Sequence, residues 1–170
     1  MSSHSFNISS IVFSTVLLYT INNWEGIYIW EVTLINILFF LTPKAEVAFL
    51  EDDYSLRQTL EKMEHHQYSS IPILNRDGEY SGTITEGDIL WYFHKADICT
   101  SIKQSENIRL TDIPRRLDYE PVNASSNMED LFSKIVRQNF VPVVDDCDKF
   151  IGIIKRKDVI RYYYEHSGRN

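Results

Sequence analysis

The sequence predicts a mixed α/β (α+β) fold built from two β-α-β-β-α repeats. Three observations carry this expectation. The stretch "IPILNRDGEYSGTITEGDIL", Ile71 to Leu90, returns 70 residues later as "VPVVDDCDKFIGIIKRKDVI", Val141 to Ile160, with Pro72/Pro142, Gly82/Gly152, Ile84/Ile154 and Asp88/Asp158 identical. Each copy sets two short apolar runs around a polar turn, the pattern of a β-hairpin. Each is also preceded by an apolar stripe at helical spacing.

The elements follow in order. "VAFL", Val47 to Leu50, reads as a short strand ended by "EDD". Leu56, Leu60 and Met63 fall at i, i+4 and i+7, the stripe of an amphipathic helix whose start Ser55 or Asp53 can cap. "IPIL" and "YSGTI" are hairpin strands joined by "NRDG". A helix then runs from about Glu86 to Phe93, with Ile89, Leu90 and Phe93 inward. In the second copy Met128, Phe132 and Ile135 form the stripe, and "FVPVV" and "FIGII" flank "DDCDK". Lys157 to Tyr164 is the closing helix. The repeats are expected to span residues 42–97 and 110–166, with a polar linker at 98–109, and "LTPK" at Leu41 is echoed by "LTDIP" at Leu110. A unit of about 55 residues buries too little surface to stand alone, so the copies are expected to pack sheet against sheet.

Apolar residues make up 44% of the chain and aromatics 13%, enough for a core. The net charge of −7 argues against a nucleic-acid partner, which needs clustered cations. Cys99 and Cys147 show neither metal spacing nor a disulfide framework, so a reducing, cytoplasmic setting is expected. His65 and His66 are neighbours, which point in different directions on a helix and build no zinc face. No phosphate-binding GxxxxGK[ST] loop and no nucleophile–base pair is present, so no catalytic activity is expected. The aromatic runs Tyr162–Tyr164 and Trp91–Phe93 read as core and dimer contact.

The first third differs from the rest. No Lys or Arg precedes Lys44, and Ser5 to Trp24 is uncharged but interrupted by Asn and Ser. It is marginal as a membrane span and lacks the positive flank of a signal peptide, so a membrane partner is not expected. Trp30-Glu31-Val32 can be encoded by a purine-rich GGAGGT like a ribosome-binding site, with Leu34 downstream. Residues 1–33 are therefore expected to be a translated leader, with the natural start at Leu34, or a disordered tail.

The polar ends of the repeat carry the chemistry. Asp88 and Asp158 sit where a strand hands over to a helix, three residues after Thr85 and Lys155. Two readings stand for them: a partner of the helix dipole, worth about 0.3–1 kcal/mol, or part of an anion and diol site at outward-pointing N–H groups. Lys155, Arg156 and Lys157 add a local basic cluster. Cations at a helix start oppose the dipole, so an anion is expected nearby.

These motifs, "YSSIPIL…GEYSGTITEGDIL" and "NFVPVV…DKFIGIIKRKDVI", resemble a tandem pair of CBS domains, a Bateman module, over about three quarters of the chain. The resemblance implies two CBS repeats packed with pseudo-twofold symmetry, two clefts between them, and homodimers. It implies a regulatory module with no obligatory cofactor that senses an adenosine-containing nucleotide and signals to an effector protein. AMP, ADP, ATP, S-adenosylmethionine and cyclic di-AMP are the ligands it suggests, and "TDIPRRL" with "KRK" is similar to a bacterial cyclic di-AMP-binding branch. In the family's G-h-x-T-x-x-D pattern the Asp meets ribose hydroxyls, the Thr faces phosphate, and the base lies before the Pro of the opposite copy. Carried across, a favoured cleft takes Lys155, Arg156, Lys157 and Asp158 with Thr42, Tyr68, Ser69, Ser70 and Ile71. A weaker cleft takes Thr85 and Asp88 with Thr111, Phe140 and Val141; Glu86 there would repel phosphate. The alternative is a protein-interaction or assembly subunit whose clefts are vestigial.

Overall fold

A computed structural model describes residues 35–95 and 105–167. The chain divides into two compact units, residues 1–36 and 37–170, and both sheets of the fold lie in the second. The expected leader 1–33, most of the linker and Cys99 lie outside the described residues.

One sheet has β2 (Leu50–Glu51) parallel to β3 (Ser70–Leu74), and β3 antiparallel to β4 (Tyr80–Thr85). The other has β5 (Val122–Asn123) parallel to β6 (Phe140–Val144), and β6 antiparallel to β7 (Phe150–Lys155). Helices α1 (Leu56–His66) and α2 (Glu86–Lys95) belong to the first repeat, α3 (Met128–Ile135) and α4 (Arg156–Ser167) to the second. A lead-in strand, β1 (Leu41–Pro43), precedes the first repeat yet completes the sheet of the second, pairing antiparallel with β7 through Thr42↔Ile153 and Pro43↔Gly152. The order is thus β1-β7-β6-β5 against β2-β3-β4.

Local chemistry explains the elements. Ser55 caps α1 with a capping box, its hydroxyl accepting from Gln58 N–H and the Gln58 side chain accepting from Ser55 N–H. Asn127 caps α3 by accepting from Asp130 N–H. In the hairpins, Asn75 Oδ1 accepts from the N–H groups of Asp77 and Glu79, and Asp145 Oδ1 accepts from those of Cys147 and Lys149. The matching left-handed residues are Gly78, φ +79°, and Asp148, φ +59°.

Three expectations are corrected. The first strand is Leu50–Glu51 alone, not Val47 to Leu50, because Val47 turns into the core between the repeats. The buried stripes run at i, i+3, i+7: Leu56, Thr59 and Met63 in α1, and Met128, Leu131 and Ile135 in α3. Leu60 is exposed, and Phe132 leans on Tyr163 with ring centroids 5.3 Å apart. Thr59 can be buried because its hydroxyl donates to Ser55 O. In α2 only Ile89 of the expected apolar face is fully buried; Leu90 is 63% exposed.

The repeats meet along their hairpins. Glu79 bridges to Lys149, Phe150 N–H donates to Gly78 O at 3.0 Å, and the Tyr80 ring stacks on Phe150. Each of the pairs 79/149 and 80/150 joins positions 70 residues apart. Residues touch their own repeat mates only on a twofold axis, so these pairs mark the pseudo-twofold. Val47, Leu74, Tyr119, Phe140, Phe150 and Ile153 form the core between the copies. Among the described residues, no helix is long and apolar enough to cross a membrane.

Candidate functional site

The Asp158 side is the more open of the two motif ends. β7 delivers Lys155 to the start of α4, which places Asp158 in its first turn. Asp158 is half-buried, and no donor among the described residues meets its carboxylate. It lines a cavity of about 350 Å³ with Thr42 of β1, between the lead-in segment and α4. Phe39, Phe40 and Tyr162 form an aromatic wall there, with Tyr162 centroids 5.5 and 5.3 Å from the two Phe rings. Arg161 and Glu165 complete the charged rim. His166 stacks on the far end of Tyr162 at 4.1 Å.

The basic cluster is divided. Arg156 is anchored, its N–H donating to Asn139 O at 3.0 Å and its Nη2 to Asn139 Oδ1 at 2.6 Å. Lys155 and Lys157 have no carboxylate partner among the described residues. Neither lysine lines the cavity, where Arg161 is the cation that accompanies the uncompensated Asp158 carboxylate.

The other expected members lie elsewhere or in the core. Ile71 is fully buried among the first repeat's core residues. Ser70 pairs with Thr85 at the strand end, and Ser69 O accepts from Glu86 N–H. Ser69 also lines a groove of about 510 Å³ between α1 and α2, with Leu60, Met63, Leu90 and Phe93. Tyr68 stacks on His66.

The Thr85 and Asp88 end is a closed knot. Asp88 is 2% exposed. Its Oδ2 accepts from Thr85 N–H at 2.9 Å and from the Thr85 hydroxyl at 2.7 Å, while Oδ1 accepts from Arg116 N–H at 2.9 Å. Thr111 is exposed in a short 3-10 turn, Leu110–Asp112; Phe140 and Val141 are buried. None of these three is a hydrogen-bond partner of Asp88.

Three ionisations shift at the repeat interface. A hydrogen bond from Lys149 holds Glu79 below the usual carboxylate range, helped by Asn75, and the same bond raises Lys149. Burial pushes the Tyr80 hydroxyl upward, against a hydrogen bond with Thr83.

Sequence reasoning missed the aromatic wall and Arg116. Tyr162 and Glu165 follow Asp158 at i+4 and i+7 on α4, a spacing that was available as a signal. Phe39 and Phe40 reach the site only because β1 crosses to the second repeat's sheet. Arg116 acts through a backbone N–H, which no residue pattern records.

Duplicated β-α-β-β-α units about a pseudo-twofold, each with a G-x-x-x-x-x-D strand-to-helix corner, define a tandem-repeat architecture. The chain belongs to the CBS-domain family: the CBS domain profile matches residues 41–95 and 110–165, a tandem CBS module. No functionally curated protein matches the chain. Similar solved structures include a CBS domain protein from Streptococcus pneumoniae TIGR4, with TM-score 0.69, 22% identity, and coverage of 96% of this chain and 99% of that one. CbpB of Listeria monocytogenes in complex with c-di-AMP gives TM-score 0.70 at 20% identity over 80% of this chain and 100% of that one. CBSX2 in complex with AMP gives 0.61 at 21% over 78% and 98%.

Proposed function

We propose that this chain is a regulatory module that binds an adenosine-containing nucleotide on its Asp158 side and passes the bound state to an effector protein. The observation that carries the reading is the Asp158 carboxylate, unpaired among the described residues, in a cavity it shares with Thr42. In this reading Asp158 accepts from the ribose hydroxyls, and Lys155 and Lys157 meet phosphate. Arg156 holds the corner through Asn139. Thr42, on the lead-in strand, is the expected first-repeat residue that meets the ligand there. The structures of CbpB with c-di-AMP and of CBSX2 with AMP support the ligand class. A ligand shifts the module between states only by its differential affinity for them.

Two copies pair through the outer helices in this proposal. Leu90 and Ile160 occupy matched positions, 70 residues apart, and are 63% and 60% exposed. Apolar exposure of that kind also favours the second reading, an assembly subunit with vestigial clefts.

Thermal shift with AMP, ADP, ATP, S-adenosylmethionine and cyclic di-AMP separates the two. A true ligand at 100 times Kd stabilises by about 2.7 kcal/mol. The shift is expected to vanish in Asp158→Ala. No shift with any of the five, or an unchanged shift in the variant, sinks the sensor reading.

A further inference from the structure

The two corners of the duplication are chemically unequal, and the inequality lies in the chain itself. At the first corner three donors already meet the Asp88 carboxylate, which is 2% exposed and leaves a ribose diol no room for a pair of hydrogen bonds. Thr85 gives Asp88 Oδ2 two hydrogen bonds, and its hydroxyl accepts in turn from Asp88 N–H at 3.1 Å. Oδ1 takes the N–H of Arg116, a residue from the lead-in of the second repeat. The same segment is held at further points. Ile113 is buried in the first repeat's core. The Arg115 guanidinium lies across Gly82, where an added Cβ would fall 2.7 Å from its Cζ. Arg116 Cζ sits 5.2 Å over the Trp91 ring, and Tyr119 O accepts from the Tyr80 hydroxyl at 2.9 Å. At the second corner Lys155 replaces the threonine, so no hydroxyl ties down the carboxylate, and Asp158 faces a cavity.

We propose that Ile113–Tyr119 is a built-in occupant of the first cleft. The Arg116 N–H stands where a sugar hydroxyl would donate, and the Arg115 side chain covers the neighbouring glycine. Asp88 is then a positioning residue that fastens the second repeat's lead-in to the first repeat. Each chain keeps one open cleft, at Asp158. The closure stands on its own geometry; only the count of one nucleotide per chain rests on the reading of the Asp158 side.

The test has two arms on the full chain. Amide hydrogen exchange by NMR should find Arg116 protected in the ligand-free protein, at least about a hundredfold slower than an unstructured amide. Asp88→Ala should speed that exchange at least about tenfold; if this variant does not fold, the wild-type protection decides. Calorimetric titration with AMP and with cyclic di-AMP should give one nucleotide per chain, with Arg116 still protected at saturation. Unprotected Arg116 in the wild type, two nucleotides per chain, or loss of Arg116 protection on adding nucleotide overturns the closure. Absence of binding by both nucleotides refutes the count and the sensor reading for them, while exchange at Arg116 still decides the closure.

Discussion

Gly152→Ala tests how the lead-in strand reaches the cleft. Gly152 faces β1 so closely that a Cβ would lie 2.9 Å from Leu41 Cδ1 and 3.1 Å from the Thr42 carbonyl carbon, and nearer still to the Thr42 oxygen. A backbone oxygen cannot swing aside as a side-chain tip can. β1 must therefore retreat by roughly an ångström, in an interior that is otherwise close-packed. That strains three residue pairs, Leu41↔Ile154, Thr42↔Ile153 and Pro43↔Gly152. Overpacking costs about 1–3 kcal/mol and each lost hydrogen bond about 1 kcal/mol, so a loss of about 2–4 kcal/mol is expected. Gly82→Ala is the matched control. Gly82 and Gly152 have similar backbone angles, φ +145° and +158°, but Gly82 faces only the tip of Arg115. Urea unfolding of both variants isolates the β1 contribution as their difference. Gly152→Ala should be the less stable by at least about 1 kcal/mol. Equal losses, or a larger loss for Gly82→Ala, would refute the reasoning.

Other predictions follow from packing and charge. Leu131→Ala should cost about 2–5 kcal/mol in denaturant unfolding, and more than Phe132→Ala, because Leu131 is fully buried and Phe132 only half so. The Glu79–Lys149 pair, at 2.9 Å, contributes stability that is present above the ordinary carboxylate range and lost as pH falls through the lowered value of Glu79. Wild type should therefore exceed Glu79→Gln in stability at pH 7, and the gap should narrow as pH falls below the ordinary carboxylate range and shrink in high salt. Leu90→Glu combined with Ile160→Glu should convert a dimer to a monomer in sedimentation equilibrium while leaving far-UV circular dichroism unchanged; a persistent dimer places the contact elsewhere.

Much of the fold was readable because its signals are local. The repeated Pro, Gly and Asp, the turn residues Asn75 and Asp145, and the cap at Ser55 act within a few residues, and each does what its chemistry suggests. The buried helix faces lie one position away from the apolar spacing, because apolarity is not the same as burial. Thr59 is buried by returning its hydroxyl to the backbone, and Phe132 finds an aromatic neighbour at the rim instead. The corner at Asp158 with Thr42 was visible as a motif. Its aromatic wall was not, since Phe39 and Tyr162 are far apart in the chain and meet only through the β1 crossing. The knot at Asp88 was equally hidden: both corners carry an Asp at the same place in the repeat, and what separates them is two backbone N–H groups and one threonine hydroxyl.

A crystal structure with a bound nucleotide tests the central claim most directly. Ribose hydroxyls are expected within hydrogen-bond distance of the Asp158 carboxylate, with phosphate toward Lys155. A nucleotide seated instead in the groove between α1 and α2, or at Asp88, would contradict it.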